Sequence, residues 1–210
     1  MKLYDFALAP NPRRVRMFLA EKGVEVPMEQ VNIRERAQFT DEFEAINPSR
    51  TVPVLELDDG TCIAETVAIC RYIEETHPEP ALMGRDAKDR AVVEMWNRRC
   101  EFEGVAAVGE IARNSAPMFE DRGLPGVSGG VPQIPALVDR GKASLGRFVE
   151  RLDKRLGESR YIAGDSFTIA DITAFIALNM AERFELAIPD SCANVARWYA
   201  EVSERPSTQA

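Results

Sequence analysis

Histidine is nearly missing from this chain: one residue, His77, stands among 210. A site built on several imidazoles is therefore excluded. His77 lies between Thr76 and Pro78 at the expected end of a helix, where it reads as a solvated C-terminal residue. Cysteine is sparse as well. Cys62, Cys70, Cys100 and Cys192 form no C-x-x-C pair, which excludes a thioredoxin redox motif and a zinc ribbon. Four unpatterned thiols fit a reducing compartment better than a disulfide framework. Basic residues are outnumbered, 26 Lys and Arg against 34 Asp and Glu, and a net charge of -8 argues against nucleic acid as a partner. No apolar run approaches the length of a membrane span, and Met1 to Asp5 lacks the apolar region of a signal peptide. The expected location is cytoplasmic.

What the chain does contain, 45% hydrophobic and 29% charged residues, is the composition of a soluble globular protein of one or two domains. Its first third alternates. Lys2 to Phe6 reads as a strand, followed by a helix with Asn11 as N-cap, Pro12 at the first helical position and Gly23 just past the end. Glu25 to Ile33 is expected as a strand, Asp41 to Ile46 as a short helix, Thr51 to Leu57 and Cys62 to Ala64 as strands, and Val67 to Glu75 as a helix. That order predicts a small mixed sheet faced by helices. The proline-bearing segment THPEPALM then reads as a linker. Beyond it the pattern is helical: Asp86 to Ser115 as one long helix or a bent pair, Leu137 to Leu156, Ile172 to Ala181 and Cys192 to Ser203. Thr168-Ile169-Ala170-Asp171 has capping-box spacing, with Asp in place of the usual Glu. Pro117 to Pro135 is an unusually long loop, of a kind that is commonly functional or mobile. The division expected is 1–78, a linker over 79–87, and an all-helical 88–210.

Asn47 to Thr66, NPSRTVPVLELDDGTCIAET, concentrates the chemistry. Pro53 inside a strand pattern cannot donate to a ladder, so it marks an edge, a strand start or a bulge. Asp59-Gly60 supplies a hairpin turn, and Glu65-Thr66 opens an apolar helix. An open backbone edge beside a helix N-terminus suits a small peptide-like ligand bearing a carboxylate.

With the NP-x-x-x-VPVL segment, the Glu65-Thr66 pair and the cap GDSFTIAD at 164–171, the chain resembles a cytosolic glutathione transferase over essentially its whole length. The resemblance implies an α+β protein: an N-terminal thioredoxin-like domain followed by an all-α helical-bundle domain. It also implies a homodimer that binds glutathione as co-substrate and a small hydrophobic electrophile, with no other cofactor and no metal. In the family's pattern the Val52 backbone pairs with the cysteinyl part of glutathione, Pro53 holds that backbone open, and Glu65 and Thr66 take the γ-glutamyl end. Arg50 is the nearest cation for the glycyl carboxylate, and Arg13 occupies a position that supports the site in several branches. Asn114, Ser115 and Phe119 end the long helix where it would overhang the sulfur. Arg14 and Arg16 read as solvated or salt-bridged surface.

The usual activators are missing. The tyrosine position falls on Asp5, with Tyr4 on the opposite strand face, and the serine or cysteine position falls on Ala9 or Pro10. Asn11 remains, matching an asparagine of the nu-type bacterial branch; some fungal and bacterial members lack a side-chain hydroxyl or thiol activator altogether. Lowering a thiol pKa by about two units takes roughly 2.7 kcal/mol of preference for the anion. One charge-assisted hydrogen bond supplies about 1.5–3 kcal/mol, and a helix N-terminus roughly 0.3–1 more. The Asn11 amide, a backbone N–H between Asn11 and Arg13, or neither if Asn11 only caps its helix, are the open alternatives. The function expected is conjugation of glutathione to hydrophobic electrophiles. Reduction of disulfides or hydroperoxides by glutathione, and a non-catalytic scaffold, stand beside it.

Overall fold

The computed structural model describes residues 1–210. Four short strands form one sheet: β1 (Lys2–Asp5), β2 (Met28–Gln30), β3 (Val54–Glu56) and β4 (Cys62–Ala64), in the order β2-β1-β3-β4. β2 runs parallel to β1, whereas β3 is antiparallel to both β1 and β4. Side chains alternate across a strand, so register decides what each face buries. Leu3 opposite Leu55 faces the main core, and Tyr4 opposite Val54 faces the other side with Val31 and Phe43. Helices α1 (Pro10–Lys22) and α3 (Thr66–Thr76) pack together on the first face, and α2 (Asp41–Ile46) supplies Phe43 to the second. This is the thioredoxin-like half.

Two strands are shorter than their patterns predict. Glu25 to Ile33 contributes only Met28–Gln30, because β2 is an edge strand whose three residues are all exposed. Thr51 to Leu57 begins its ladder only at Val54, since Pro53 has no N–H to give. The start of α1 also differs. Ala9, not Asn11, is the N-cap, and Pro10 takes the first helical position. Gly23 closes the helix in the left-handed region at φ 64, with its N–H on Ala20 and Leu19 carbonyls.

At the other end of α1, Lys22 is tied into the linker. Its Nζ lies 2.5 Å from Glu74 Oε2 and donates to the His77 and Pro80 carbonyls, while Glu74 accepts from the Leu82 and Met83 N–H groups. A buried cation with three acceptors fixes where the sheet half ends.

The remainder is helical: α4 (Ala87–Arg99), α5 (Ala106–Ser115), α6 (Pro135–Glu158), α7 (Ile169–Glu182) and α8 (Ala193–Ser203). α4 and α5 form one continuous rod through a π-helical segment, Cys100–Val105. In that segment Gly104 faces Phe148 of α6 and Ala177 of α7, with a built Cβ only 2.8 Å from the Phe148 ring. The centre of this half is α7, buried along almost its whole length. Its start is the capping box foreseen from sequence. The Thr168 N–H donates to Asp171 Oδ2 at 3.0 Å, the Ala170 N–H to Thr168 Oγ1 at 3.3 Å, and Ile162 N–H and Trp198 Nε1 both reach Asp171 Oδ1.

Candidate functional site

The segment after α2 is held by Asn47, whose Nδ2 donates to the Thr51 carbonyl at 2.8 Å and whose Oδ1 accepts from the Ser49 N–H. That clamp presents Thr51-Val52-Pro53 at the head of β3. Val52 lies outside the ladder, and its N–H and carbonyl find no partner within the chain. Beside it, Glu65 occupies the N-cap position of α3 at φ 72, and its side chain makes no capping bond. Thr66, the first residue of α3, is buried. A helix start lacks intrahelical acceptors for its first N–H groups and carries a partial positive charge. An unpaired backbone edge, a carboxylate and a helix N-terminus therefore stand within one short segment. Arg50 adopts φ 53 and pairs with Glu44 at 2.6 Å.

The start of α1 is chemically specific. Pro10 and Pro12 have no N–H, and the Arg13 N–H is spent on the Ala9 carbonyl at 3.2 Å. In the first turn that leaves the Asn11 N–H as the one donor not bonded within the chain. Asn11 is exposed, and its Oδ1 lies 3.4 Å from Arg14 Nη1, which leaves the amide Nδ2 free to donate outward.

Neither residue at the end of β1 has a free group. Asp5 is buried, with Arg16 Nη1 at 2.5 Å and Gln30 Nε2 at 2.6 Å. Tyr4 sits on the α2 face and donates its hydroxyl to Glu56 at 2.7 Å, and burial pushes its phenol pKa up. Three of the chain's own thiols are poor nucleophiles. Burial drives Cys70 up to about 12 and Cys100 well above its ordinary value, and it raises exposed Cys62 too. Reactive cysteines have the opposite shift.

The other residues singled out from sequence are placed as follows. Arg13 points at the helical half, 2.6 Å from Asn179 Oδ1 and 2.8 Å from the Thr208 carbonyl. It lines a cleft with Ala9, Pro10, Ile176, Asn179 and Met180. Arg14 and Arg16 are buried ion-pair partners instead of solvated surface: Arg14 reaches Glu101 and Thr173, and Arg16 reaches Asp5. Asn114 is buried and closes the long loop, its Nδ2 donating to the Glu110 carbonyl and its Oδ1 accepting from the Ile134 N–H. Ser115 donates back to the Ile111 carbonyl at 2.6 Å, and Phe119 lies under Arg113 at 4.7 Å. Sequence reasoning passed over Arg36 and Arg122. Both stand beside Phe39; Arg36 is three residues from it, whereas Arg122 is 83 positions away, a contact that no local pattern encodes.

Residues 9–76 match the glutathione S-transferase N-terminal domain, and residues 115–206 match the C-terminal domain. The chain is 38% identical over 212 residues to glutathione S-transferase 2 of Saccharomyces cerevisiae, covering 100% of this chain and 88% of that protein. Among solved structures it is similar to a glutathione S-transferase domain-containing protein of Marinobacter aquaeolei, at 38% identity and a TM-score of 0.92, with 99% and 100% of the two chains covered. It is likewise similar to Gtt2 of Saccharomyces cerevisiae, at 34% identity and a TM-score of 0.91, with 100% and 99% covered.

Proposed function

Since this chain belongs to the glutathione S-transferase family, and so to a family of enzymes, we propose that it conjugates glutathione to hydrophobic electrophiles with the thiolate held at the start of α1. The observation that carries the reading is the unpaired Val52 backbone beside the Glu65-Thr66 start of α3. The cysteinyl unit of glutathione pairs with Val52, and Pro53, which has no N–H, keeps that backbone out of the ladder. Glu65 takes the γ-glutamyl ammonium. The Thr66 hydroxyl and the N–H groups of the first turn of α3 take its carboxylate.

Glutathione supplies the nucleophile, and burial disfavours the thiolate at Cys70 and Cys100. The glutathione thiol loses its proton to water, and the Asn11 N–H and amide donate to the resulting anion. One such bond is worth about 1.5–3 kcal/mol, enough to move a thiol pKa by roughly one to two units. The sulfur lone pair then forms the C–S bond, and the leaving group departs with the electrons of the bond it breaks. Arg13 supports the glutathione side of the site, and Asn114, Ser115 and Phe119 border the electrophile's side.

The same reading makes the protein a cytoplasmic homodimer active in detoxification. Its four free cysteines suit a reducing compartment, and no helix is long and apolar enough to cross a membrane. Met95 at 41% exposure and Phe102 at 64% give the α4 side an apolar surface suited to a second copy. The test is turnover of chlorodinitrobenzene with glutathione, run beside a mixed-disulfide reduction assay and retention on immobilised glutathione. Conjugation with retention is expected. Reduction without conjugation overturns the reaction, and absence of both activities together with no retention overturns the enzyme reading.

A further inference from the structure

Two residues after Asn11, Arg13 crosses from the sheet half to the helical half. Its Nη1 donates to Asn179 Oδ1 of α7 at 2.6 Å, and its Nη2 to the Thr208 carbonyl at 2.8 Å. Both acceptors are fixed in place. The Asn179 amide is oriented by its own Nδ2, which donates to Glu182 Oε2 and to the Tyr199 hydroxyl, each at 3.2 Å, so Oδ1 is the atom left to face Arg13. Thr208 belongs to the turn Pro206–Gln209. That turn is fastened to α1 by Arg205 and Ser207, which both donate to Glu21. The acceptors are neutral, however, so no carboxylate anchors the guanidinium. Burial, with Arg183 and Arg16 nearby, pushes the Arg13 pKa down. Arg13 is thus held by geometry against like-charged neighbours.

The pinned side chain narrows the cleft that it lines. Leu8, Ala9, Pro10, Ile176 and Met180 give that cleft mostly apolar walls. Its room is about 20 Å3, on the scale of a single water molecule. Apolar walls favour a hydrocarbon group, yet an aromatic ring has no space there while Arg13 is held. Pro10 adjoins Asn11, so the cleft lies next to the proposed thiolate donor and leads from it toward α7.

We infer that Arg13 is a latch that sets electrophile size: pinned to Asn179 and Thr208 it confines the reaction to compact electrophiles, and released it opens the cleft to a second ring. The inference rests on the conjugation reading above. A single-ring electrophile reaches the sulfur without entering the cleft. A fused two-ring electrophile has to place its outer ring between Pro10 and Met180, in the space that Arg13 closes.

The test is kcat/KM for conjugation of glutathione to chlorodinitrobenzene and to chlorodinitronaphthalene, each divided by its uncatalysed rate at the same pH. In both, sulfur bonds to the ring carbon and chloride leaves with the electrons of the C–Cl bond, so the chemistry is matched and the size differs. The wild type should favour the single ring by about tenfold or more. Asn179→Leu removes an acceptor without adding room, and should raise the two-ring value about fivefold while the single-ring value stays within about twofold. Met180→Ala widens the cleft without touching the latch and should raise the two-ring value as well. Retention on immobilised glutathione checks that each variant is folded. A gain in Met180→Ala with none in Asn179→Leu overturns the latch. No gain in either variant, or a wild type indifferent to the second ring, takes the cleft out of the reaction and overturns the inference while leaving the conjugation reading intact. Failure of the wild type to conjugate either electrophile overturns that reading and this inference with it.

Discussion

Arg14 Nη2 stands 2.8 Å from Glu101 Oε1 and thereby joins the first helix of the sheet half to the π-helical segment of the helical half. The same nitrogen lies 2.9 Å from Thr173 Oγ1, which in turn donates to Asn97 Oδ1 at 2.7 Å. One buried cation thus touches α1, α7 and the α4–α5 rod, and its other nitrogen reaches toward Asn11. The position of the proposed thiolate donor is set by the joint between the two halves.

Breaking this joint from one side should be costly. Arg14 is 4% exposed at its side chain, so Glu101→Ala leaves a guanidinium buried without its anion. A loss of about 3 kcal/mol in urea unfolding is expected, read as a lower midpoint at unchanged slope. The double variant Arg14→Met with Glu101→Ala should recover a good part of that loss, because a buried pair replaced by apolar side chains is often near neutral. Equal instability of the single and double variants would show that the pair's worth lies in packing.

Gly104 tests the packing beside that joint. Its missing side chain admits the Phe148 ring, and Ala177 Cβ lies 3.1 Å from where a Cβ would stand. Gly104→Ala should destabilise the protein by about 1–3 kcal/mol, the usual range for overpacking a filled core. Gly109, five residues along in α5, has nothing within 4 Å of a built Cβ. Gly109→Ala should instead be neutral or stabilising by up to about 1 kcal/mol, from helix propensity. Thermal unfolding of the two variants side by side reads the difference.

Asp171 makes stability depend on pH. Burial raises its pKa from 3.8 to about 6, against the opposing bonds from Ile162, Trp198 and Thr168. The folded state therefore holds a proton that the unfolded chain has released between those two values. Its contribution is fully present below about pH 4 and is lost as the pH rises through 6. Asp171→Asn cannot titrate. The stability gap between wild type and variant should be largest near pH 4 and narrow toward pH 7, by an amount of order 2–3 kcal/mol. A gap independent of pH would mean that the carboxylate stays ionised at its cap.

Features written in a few neighbouring residues were legible beforehand. The Thr168 to Asp171 cap, the Gly23 terminator, the Asp41 to Ile46 helix and the Pro53 interruption each depend on local chemistry, and the family resemblance followed from their order. What escaped depends on contacts far apart in the chain. Arg14 looked like surface because its anion lies 87 positions away, and Arg122 carried no signal until Phe39 came beside it. The cap of α1 misled for a different reason. Asn11 and Pro12 fit the N-cap and first-turn preferences, but Pro10 fits the first turn equally well and starts the helix earlier. That two-residue shift moves Asn11 from a capping role into the first turn, where its side chain is not needed to hold its own helix.

That shift makes Asn11 testable as the thiolate donor. Glutathione thiolate absorbs in the ultraviolet, so the pKa of the bound thiol can be read by titrating the complex. Asn11→Ala removes the amide and keeps the backbone N–H, and should raise that pKa by about one unit, the equivalent of one hydrogen bond to the anion. Asn11→Asp keeps the shape and places a negative charge beside the sulfur, and should raise it by about two units, with kcat/KM at neutral pH falling between tenfold and a hundredfold. Glutathione affinity should change little in either variant, because Val52, Glu65 and Thr66 are untouched. A raised value in Asn11→Asp alone would assign the donor to the backbone N–H that Pro10 and Pro12 leave by itself in the first turn. A thiol pKa unmoved in both variants would remove the start of α1 from the reaction.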